Sequence, residues 1–372
     1  MVIPLKKMQA AMIVDDLQLG DSTQQFRVLF VHERFAPDFG GGGERVVLAM
    51  AKHLQQAGVS VQVLTTGNPA ISEHEGVPTV RLPISRYRLN FAVRDIVRLG
   101  KSADVIQTFN YHACLPSLLA GKVLHKPVVC MFLGLIQQSW MEMRGRMVGN
   151  AFRYWETFLL KREYARTLFL TEDNHEAALH LCRRKDRLLV NFPGISTSEF
   201  APADRKENMV VFVGKFDVRK GVYDVLEVAR ALPQVPFLMI GWGALESELK
   251  STAPENIRFS PIEDRDGLRR TLARASCFFL PSQGEGFPVA ILEAMASGCA
   301  IVSTVPVSFE GMRVSPGDRS AMIAAIKALW ENPDTAVQFG RRNRELASSF
   351  NWEAHVSKLI NIYRTVISEQ EG

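Results

Sequence analysis

Cysteine is scarce and scattered in this chain: Cys114, Cys130, Cys182, Cys277 and Cys299, five in 372 residues. The number is odd and no C-x-x-C pair occurs. Neither a disulfide framework nor a cysteine metal site is expected, and buried thiols in a reducing cytoplasm are the plain reading. Long apolar runs are missing as well. Nothing approaches the roughly 18 apolar residues a spanning helix needs. The apolar run after Lys6 and Lys7 is interrupted by Asp15 and Asp16 and is too short for a secretory core. Residues 1–25 therefore read as a loosely ordered extension. No H-x-x-x-H pattern appears, and no metal is expected. No nucleic-acid-binding module is present either.

What is present is a large apolar fraction, 47%, with a modest net charge of +5. That length suits two domains of ordinary size, each with its own core. The charge favours anionic partners without choosing among them. Apolar strand-like runs alternate with helical stretches along the whole chain. FRVLFV from Phe26 is followed by a glycine-rich loop, a helix over 44–54 and the strand VSVQVLTT, a β-loop-α-β unit that implies a parallel sheet. TVRLP, VIQTF, PVVCMF, TLFLT and RLLVNFP continue the pattern, with helical stretches near 91–99, 115–124 and 141–165. The segment 196–208 is polar and aperiodic, and the alternation restarts after it. The expected organisation is a first Rossmann-like domain over 26–195, a linker over 196–208, and a second domain over 209–350. A C-terminal helix over 351–372 packs back toward the first domain. Two doubly wound α/β domains facing a cleft are the fold class, and ligands in such sheets bind beyond the carboxyl ends of the strands.

Three clusters carry chemistry. LPSQGEGFPVAILEAMASG, from Leu280 to Gly298, reads as a strand end, a loop and a short helix. Pro288 suits the first helical position and Gly298 the position past its end. The helix N-terminus offers free N–H groups to an anion. Glu285 lies in the loop and Glu293 in the helix, as an acid/base pair or as ligands; Glu293 also has the plain reading of a residue paired within its helix. FVGKFDVRKG places Lys215 and Lys220 at the same sheet edge, where they could neutralise a diphosphate leaving group; each alone reads as a solvated lysine. Gly40, Gly41, Gly42 and Gly43 form a loop after the first strand. The third glycine position of a dinucleotide fingerprint is Arg45, and the second strand ends in Thr65 and Thr66 without an acidic residue, so NAD binding is not expected. An acceptor or phosphate loop at the cleft mouth is the functional reading; a long turn is the plain one.

These residues resemble the family 4 glycosyltransferases, nucleotide-sugar-dependent enzymes of the two-domain GT-B fold. The resemblance rests on the E-x7-E of EGFPVAILEAMASG, on VGK…RKG, and on Gly241-Trp242-Gly243 in a strand–helix turn. It is specific in the second half and weaker in the first. It implies that Glu285 contacts the donor sugar, Glu293 the ribose, Lys220 the diphosphate, and the amides of Gly286 and Phe287 the sugar or phosphate. Lys215, Gly241 and Gly243 join the donor site. Lys215 replaces the family's usual arginine, keeping charge without the bidentate fork. The family's N-terminal histidines are not at their usual places: Phe132 and Leu133 stand there, and His112 is the candidate substitute. The activity implied is retaining, metal-independent transfer from a nucleotide-diphosphate sugar, as co-substrate and with no cofactor, to a glycan or lipid-linked acceptor. Two alternatives stay open: a non-catalytic nucleotide-sugar-binding or scaffold protein, and a GT-B-fold nucleotide-sugar epimerase. Residues 85–101 and 144–166 mix arginine with large apolar groups. They suit peripheral contact with an anionic membrane at its cytoplasmic face, or two ordinary helices with solvated basic sides.

Overall fold

The computed structural model of the chain describes residues 26–371, apart from 39, 40, 262, 263, 286 and 306. The expectations for residues 1–25, Gly40 and Gly286 lie outside the described residues. The first block runs β1 (Arg27–Val31), α1 (Gly42–Gln56), β2 (Ser60–Thr66), β3 (Glu73–His74), β4 (Val77–Leu82), α2 (Val93–Gly100), β5 (Val105–Phe109), α3 (Cys114–Leu124), β6 (Val128–Phe132), α4 (Ser139–Arg144), α5 (Arg146–Leu160), β7 (Arg166–Phe169), α6 (Glu172–Leu181) and β8 (Leu188–Val190). The second runs β9 (Glu207–Lys215), α7 (Val222–Ala231), β10 (Phe237–Trp242), α8 (Glu246–Thr252), β11 (Ile257–Ser260), α9 (Arg265–Arg274), β12 (Ala275–Leu280), α10 (Val289–Ala296), β13 (Ala300–Ser303), β14 (Gly311–Arg313), α11 (Arg319–Glu331), α12 (Pro333–Ser348) and α13 (Trp352–Glu371).

Two Rossmann-like α/β domains result. The first sheet has the order β3-β4-β2-β1-β5-β6-β7-β8 and the second β11-β10-β9-β12-β13-β14. Every neighbouring pair is parallel except β3 with β4. Central strands such as β5, β6 and β12 are buried along their full length, which is why they read as unbroken apolar runs. Strand order reverses direction between β1 and β5 in the first sheet and between β9 and β12 in the second. These are the switch points where the loops diverge and leave a crevice.

Several boundaries differ from the sequence reading. The first helix begins at Gly42, so Gly42 and Gly43 are helical and Gly41 is its cap residue. The long stretch 141–165 is not one helix: Gly145, at φ +75°, separates α4 from α5. β14 was not anticipated, because three residues carry too little periodicity. Phe200, inside the polar 196–208 stretch, is fully buried in the second domain's core. The last helix, α13, returns to the first domain. Its Trp352, Val356, Leu359, Ile362, Tyr363 and Val366 join that domain's core. The Trp352 ring stacks on His53 of α1 at 5.0 Å, and Tyr363 Oη donates to Gln107 Oε1 at 3.1 Å.

Candidate active site

The carboxyl ends of the switch-point strands meet across one cleft of about 450 Å³. On the second domain's side, β9 leads into Lys215, and the turn Val218–Lys220 follows. Asp217 caps this turn by accepting from Lys220 N. Gly221 then takes φ +70°, and a Cβ there would lie 2.1 Å from Pro281 O. The β9–α7 loop is thus seated directly on the β12–α10 loop. Gln283 N and Ser282 Oγ both donate to Arg219 O, at 2.8 and 2.9 Å. This seating brings Lys220 Nζ onto Glu285 Oε1 as an ion pair, and Ser282 Oγ donates to the same oxygen at 2.9 Å. Glu285 Oε2 and the Lys215 ammonium have no partner among the described residues, and both residues line the cleft.

Pro288 precedes α10 as its cap residue, and Gly298 takes φ +72° just past its end. Glu293, the fifth residue of α10, lines the cleft but is only 2% exposed. Burial pushes its carboxyl above the ordinary range; the charges of Arg45, on α1 of the other domain, and of Arg265 partly oppose this. The Arg265 guanidinium stands 3.9 Å away. Phe287 and Trp242 complete this wall, with Trp242 42% exposed. Gly241 and Gly243 serve close backbone approach: a Cβ on Gly241 would meet Gly214 O at 1.9 Å, and one on Gly243 would meet Phe216 O at 2.3 Å. They let the β9 and β10 ends lie side by side, while Trp242 between them reaches the cleft.

The first domain's wall comes from the ends of β1, β5 and β6 and from the start of α1. It includes His32, Glu33, Gly41, Gly42, Gly43, Asn110, Tyr111 and Leu133. Glu33 is buried and accepts from Tyr111 N at 3.4 Å, His112 N at 3.1 Å and Arg86 Nη1 at 3.4 Å. Asn110 binds the next loop through Leu133 N and Gly134 O, at 2.9 and 3.1 Å. His112 is a correction. It does not line the cleft; its Nδ1 meets Asn90 Nδ2 at 2.9 Å, and the cleft wall beside it is Glu33. Burial lowers its pKa, and the Glu33 carboxylate opposes this while Arg86 adds to it. The ring is therefore neutral near pH 7. Phe132 faces the opposite way, fully buried and stacked on Phe169 at 6.0 Å, and Leu133 takes the cleft position.

Sequence reasoning missed Glu33, Tyr111, Ser139 and Trp242. Glu33 and Tyr111 lie just past the β1 and β5 ends, so the switch-point rule could have found them. The D-x-D spacing of Asp264 and Asp266 is structural: Asp264 caps α9, and Asp266 pairs with Arg269. Among the described residues no group of three or more His, Cys, Asp or Glu could hold a metal ion, and no helix is long and apolar enough to cross a membrane.

Known proteins share both the fold and the sequence pattern. The family model described as Glycosyltransferase Family 4 matches residues 40–199, and that described as Glycosyl transferases group 1 matches residues 207–332. The chain is 22% identical to the O-antigen chain mannosyltransferase C of Escherichia coli, over 92% of this chain and 100% of that protein. It is 25% identical to the phosphatidyl-myo-inositol mannosyltransferase of Mycobacterium leprae, over 88% and 94%. It is 24% identical to the GDP-mannose:cellobiosyl-diphosphopolyprenol alpha-mannosyltransferase of Xanthomonas oryzae, over 92% and 97%. Among solved structures, the sucrose-phosphate synthase of Thermosynechococcus elongatus superimposes with a TM-score of 0.77 at 19% identity, over 93% of this chain and 100% of that one. Anabaena HepE in complex with UDP and glucose gives 0.76 at 15%, over 92% and 100%. Fold, cleft and relatives together define a glycosyltransferase with the two-domain GT-B architecture. The chain belongs to family 4 of these enzymes.

Proposed function

We propose that the cleft transfers a sugar from a nucleotide-diphosphate sugar to a glycan or lipid-linked acceptor, with retention and without a metal ion. The carrying observation is the Lys220–Glu285 pair beside Lys215 at the mouth of α10. Charge develops on the diphosphate as the glycosyl–oxygen bond breaks, and fixed cations aimed at it stabilise that charge. Lys215, Lys220 and the α10 N-terminus supply positive potential on one wall. The free Oε2 of Glu285 accepts a sugar hydroxyl while Oε1 holds Lys220. Glu293 takes the ribose hydroxyls, and Trp242 offers a ring face to the base. In the reaction the C1–O bond to the phosphate breaks and the acceptor oxygen bonds C1 on the same face. The acceptor proton passes to the departing phosphate oxygen. No protein carboxylate is then needed as nucleophile, in keeping with Glu285 being committed to Lys220.

The three relatives named above are mannosyltransferases, so GDP-mannose is the first donor to test, with UDP- and ADP-sugars beside it. Lys220→Ala and Glu285→Ala should abolish transfer while leaving the fold intact. A purified protein that neither binds nor turns over any nucleotide sugar would sink the reading.

A membrane setting for the acceptor has its own support. Residues 85–101 and 144–166 hold eleven Lys and Arg against three Asp and Glu; that net +8, in a chain of net +5, leaves −3 for the rest. Helices α2, α3 and α5 cover the same face of the first sheet, and their layer exposes Phe91 (84%) and Met147 (88%) along with Val123 and Tyr154. Such a face suits the surface of an anionic bilayer. Sedimentation with phosphatidylglycerol vesicles but not with phosphatidylcholine vesicles is the expected result; equal partition to both would count against it.

A further inference from the structure

Glu156 has no place in the donor chemistry, yet it is the most fully engaged carboxylate of the first domain. It lies on α5, is 0% exposed, and forms no ion pair among the described residues. Its Oε1 accepts from Tyr111 Oη at 2.5 Å and Ile136 N at 3.0 Å. Its Oε2 accepts from Gln137 N at 2.7 Å and Gln137 Nε2 at 2.8 Å. Burial and the Glu156 charge both hold the Tyr111 phenol well above its ordinary pKa, so it remains a donor at neutral pH. A buried carboxylate without a cation is a poor stabilising device; an apolar side chain of like volume serves a core as well or better. The geometry points to a different use.

All four donors belong to the cleft wall or to the loop that forms it. Tyr111 and Ile136 line the cleft, with Gly134, Leu135 and Ser139. Gln137 is held at φ +45°, a conformation a non-glycine residue adopts only under local restraint. The loop then crosses toward the donor side: a Cβ on Gly284 would be 3.5 Å from Ser139 Oγ. Helix α4, which continues the loop, packs directly on α5 at Gly149, where a Cβ would lie 2.4 Å from Trp140 O and from Met141 Cα. We infer that Glu156 is a positioning residue for the acceptor side: it sets the 134–139 wall opposite the Glu285 loop without touching substrate. It also ties that wall to α5, whose outer side carries Met147 and Tyr154. The acceptor assignment rests on the proposed transferase reading; the loop restraint does not.

Glu156→Gln replaces one acceptor oxygen by a donor NH₂ and so cannot accept from all four donors; Glu156→Leu accepts from none. Hydrogen exchange of the Ile136 and Gln137 amides should quicken about tenfold or more in Glu156→Leu, with Glu156→Gln between, as expected when a buried hydrogen bond is lost. GDP-mannose affinity by calorimetry should stay within about twofold of wild type, because the donor residues are on the other domain. Transfer to cellobiosyl-diphosphopolyprenol should show a raised acceptor KM and a lower kcat at unchanged donor KM. Unchanged exchange at 136 and 137 overturns the inference, and so does donor affinity that falls in step with transfer. A wild-type protein that binds no nucleotide sugar defeats the transferase reading instead, and the exchange result still decides the role of Glu156.

Discussion

Replacing Gly221 by alanine tests whether the two loops of the donor wall are built on one another. The perturbation has two separable parts. The first is conformational: Gly221 has φ +70°, where an L-residue costs about 1–2 kcal/mol. The second is steric. The new Cβ would lie 2.1 Å from Pro281 O, whereas real Cβ atoms essentially never come within 3.0 Å of a neighbour. The β9–α7 and β12–α10 loops must therefore separate by about 1 Å, a displacement that can cost a catalytic site on the order of a hundredfold. Gly76, at φ +82° in the β3–β4 turn with nothing within 4 Å of its virtual Cβ, isolates the first part. Urea unfolding should show Gly76→Ala losing about 1 kcal/mol with full activity. Gly221→Ala should lose more than about 2 kcal/mol and most of its kcat/KM. Equal stability losses with equal activities would refute the stacked-loop account.

Two further outcomes depend on buried titrating groups. His355 on α13 is fully buried, its Nδ1 2.6 Å from Phe192 O, and burial pushes its pKa from 6.5 to about 4. The unfolded chain takes up a proton between those values that the folded one refuses. The associated stability is whole above pH 6.5 and lost as pH falls toward 4, about 3 kcal/mol in all. Urea midpoints at pH 7 and pH 5 should diverge in wild type and converge in His355→Gln. Glu293 shifts the other way: burial raises it above 4.5, so its contribution is full below that pH and lost as pH rises through the raised value. Glu293→Gln should therefore melt higher than wild type at pH 7 while binding donor more weakly, a trade of stability for a ligand.

The second-domain wall of the cleft was legible because its residues are local in sequence. Lys215, Lys220, Glu285 and Glu293 fall within two short stretches, each a strand end followed by a helix start. The period of the apolar residues therefore places them at one sheet edge. The first-domain wall and its support are assembled from distant stretches. Glu33 follows β1, Tyr111 follows β5, Ile136 follows β6 and Glu156 comes from α5; nothing in sequence spacing joins four residues up to 123 positions apart. His112 stands out in the sequence as the candidate substitute for the family's N-terminal histidines, yet its Nδ1 turns to Asn90, and its backbone amide and its Nε2, the latter at 3.9 Å, both face the cleft-lining Glu33. The glycine run was half absorbed into α1, because a helix start tolerates glycine where the first N–H groups need no partner within the helix.

The central claim is that the Lys220–Glu285 corner binds the diphosphate and sugar of a nucleotide sugar. Calorimetric titration of GDP-mannose and UDP-glucose into wild type, Lys220→Ala and His112→Ala tests it most directly. The account predicts that one of the two donors binds wild type without added metal. It also predicts that affinity falls about 30-fold or more in Lys220→Ala, the worth of a charge-assisted contact, and that His112→Ala stays near wild type. Binding that survives unchanged in Lys220→Ala, or that His112→Ala abolishes, would contradict it.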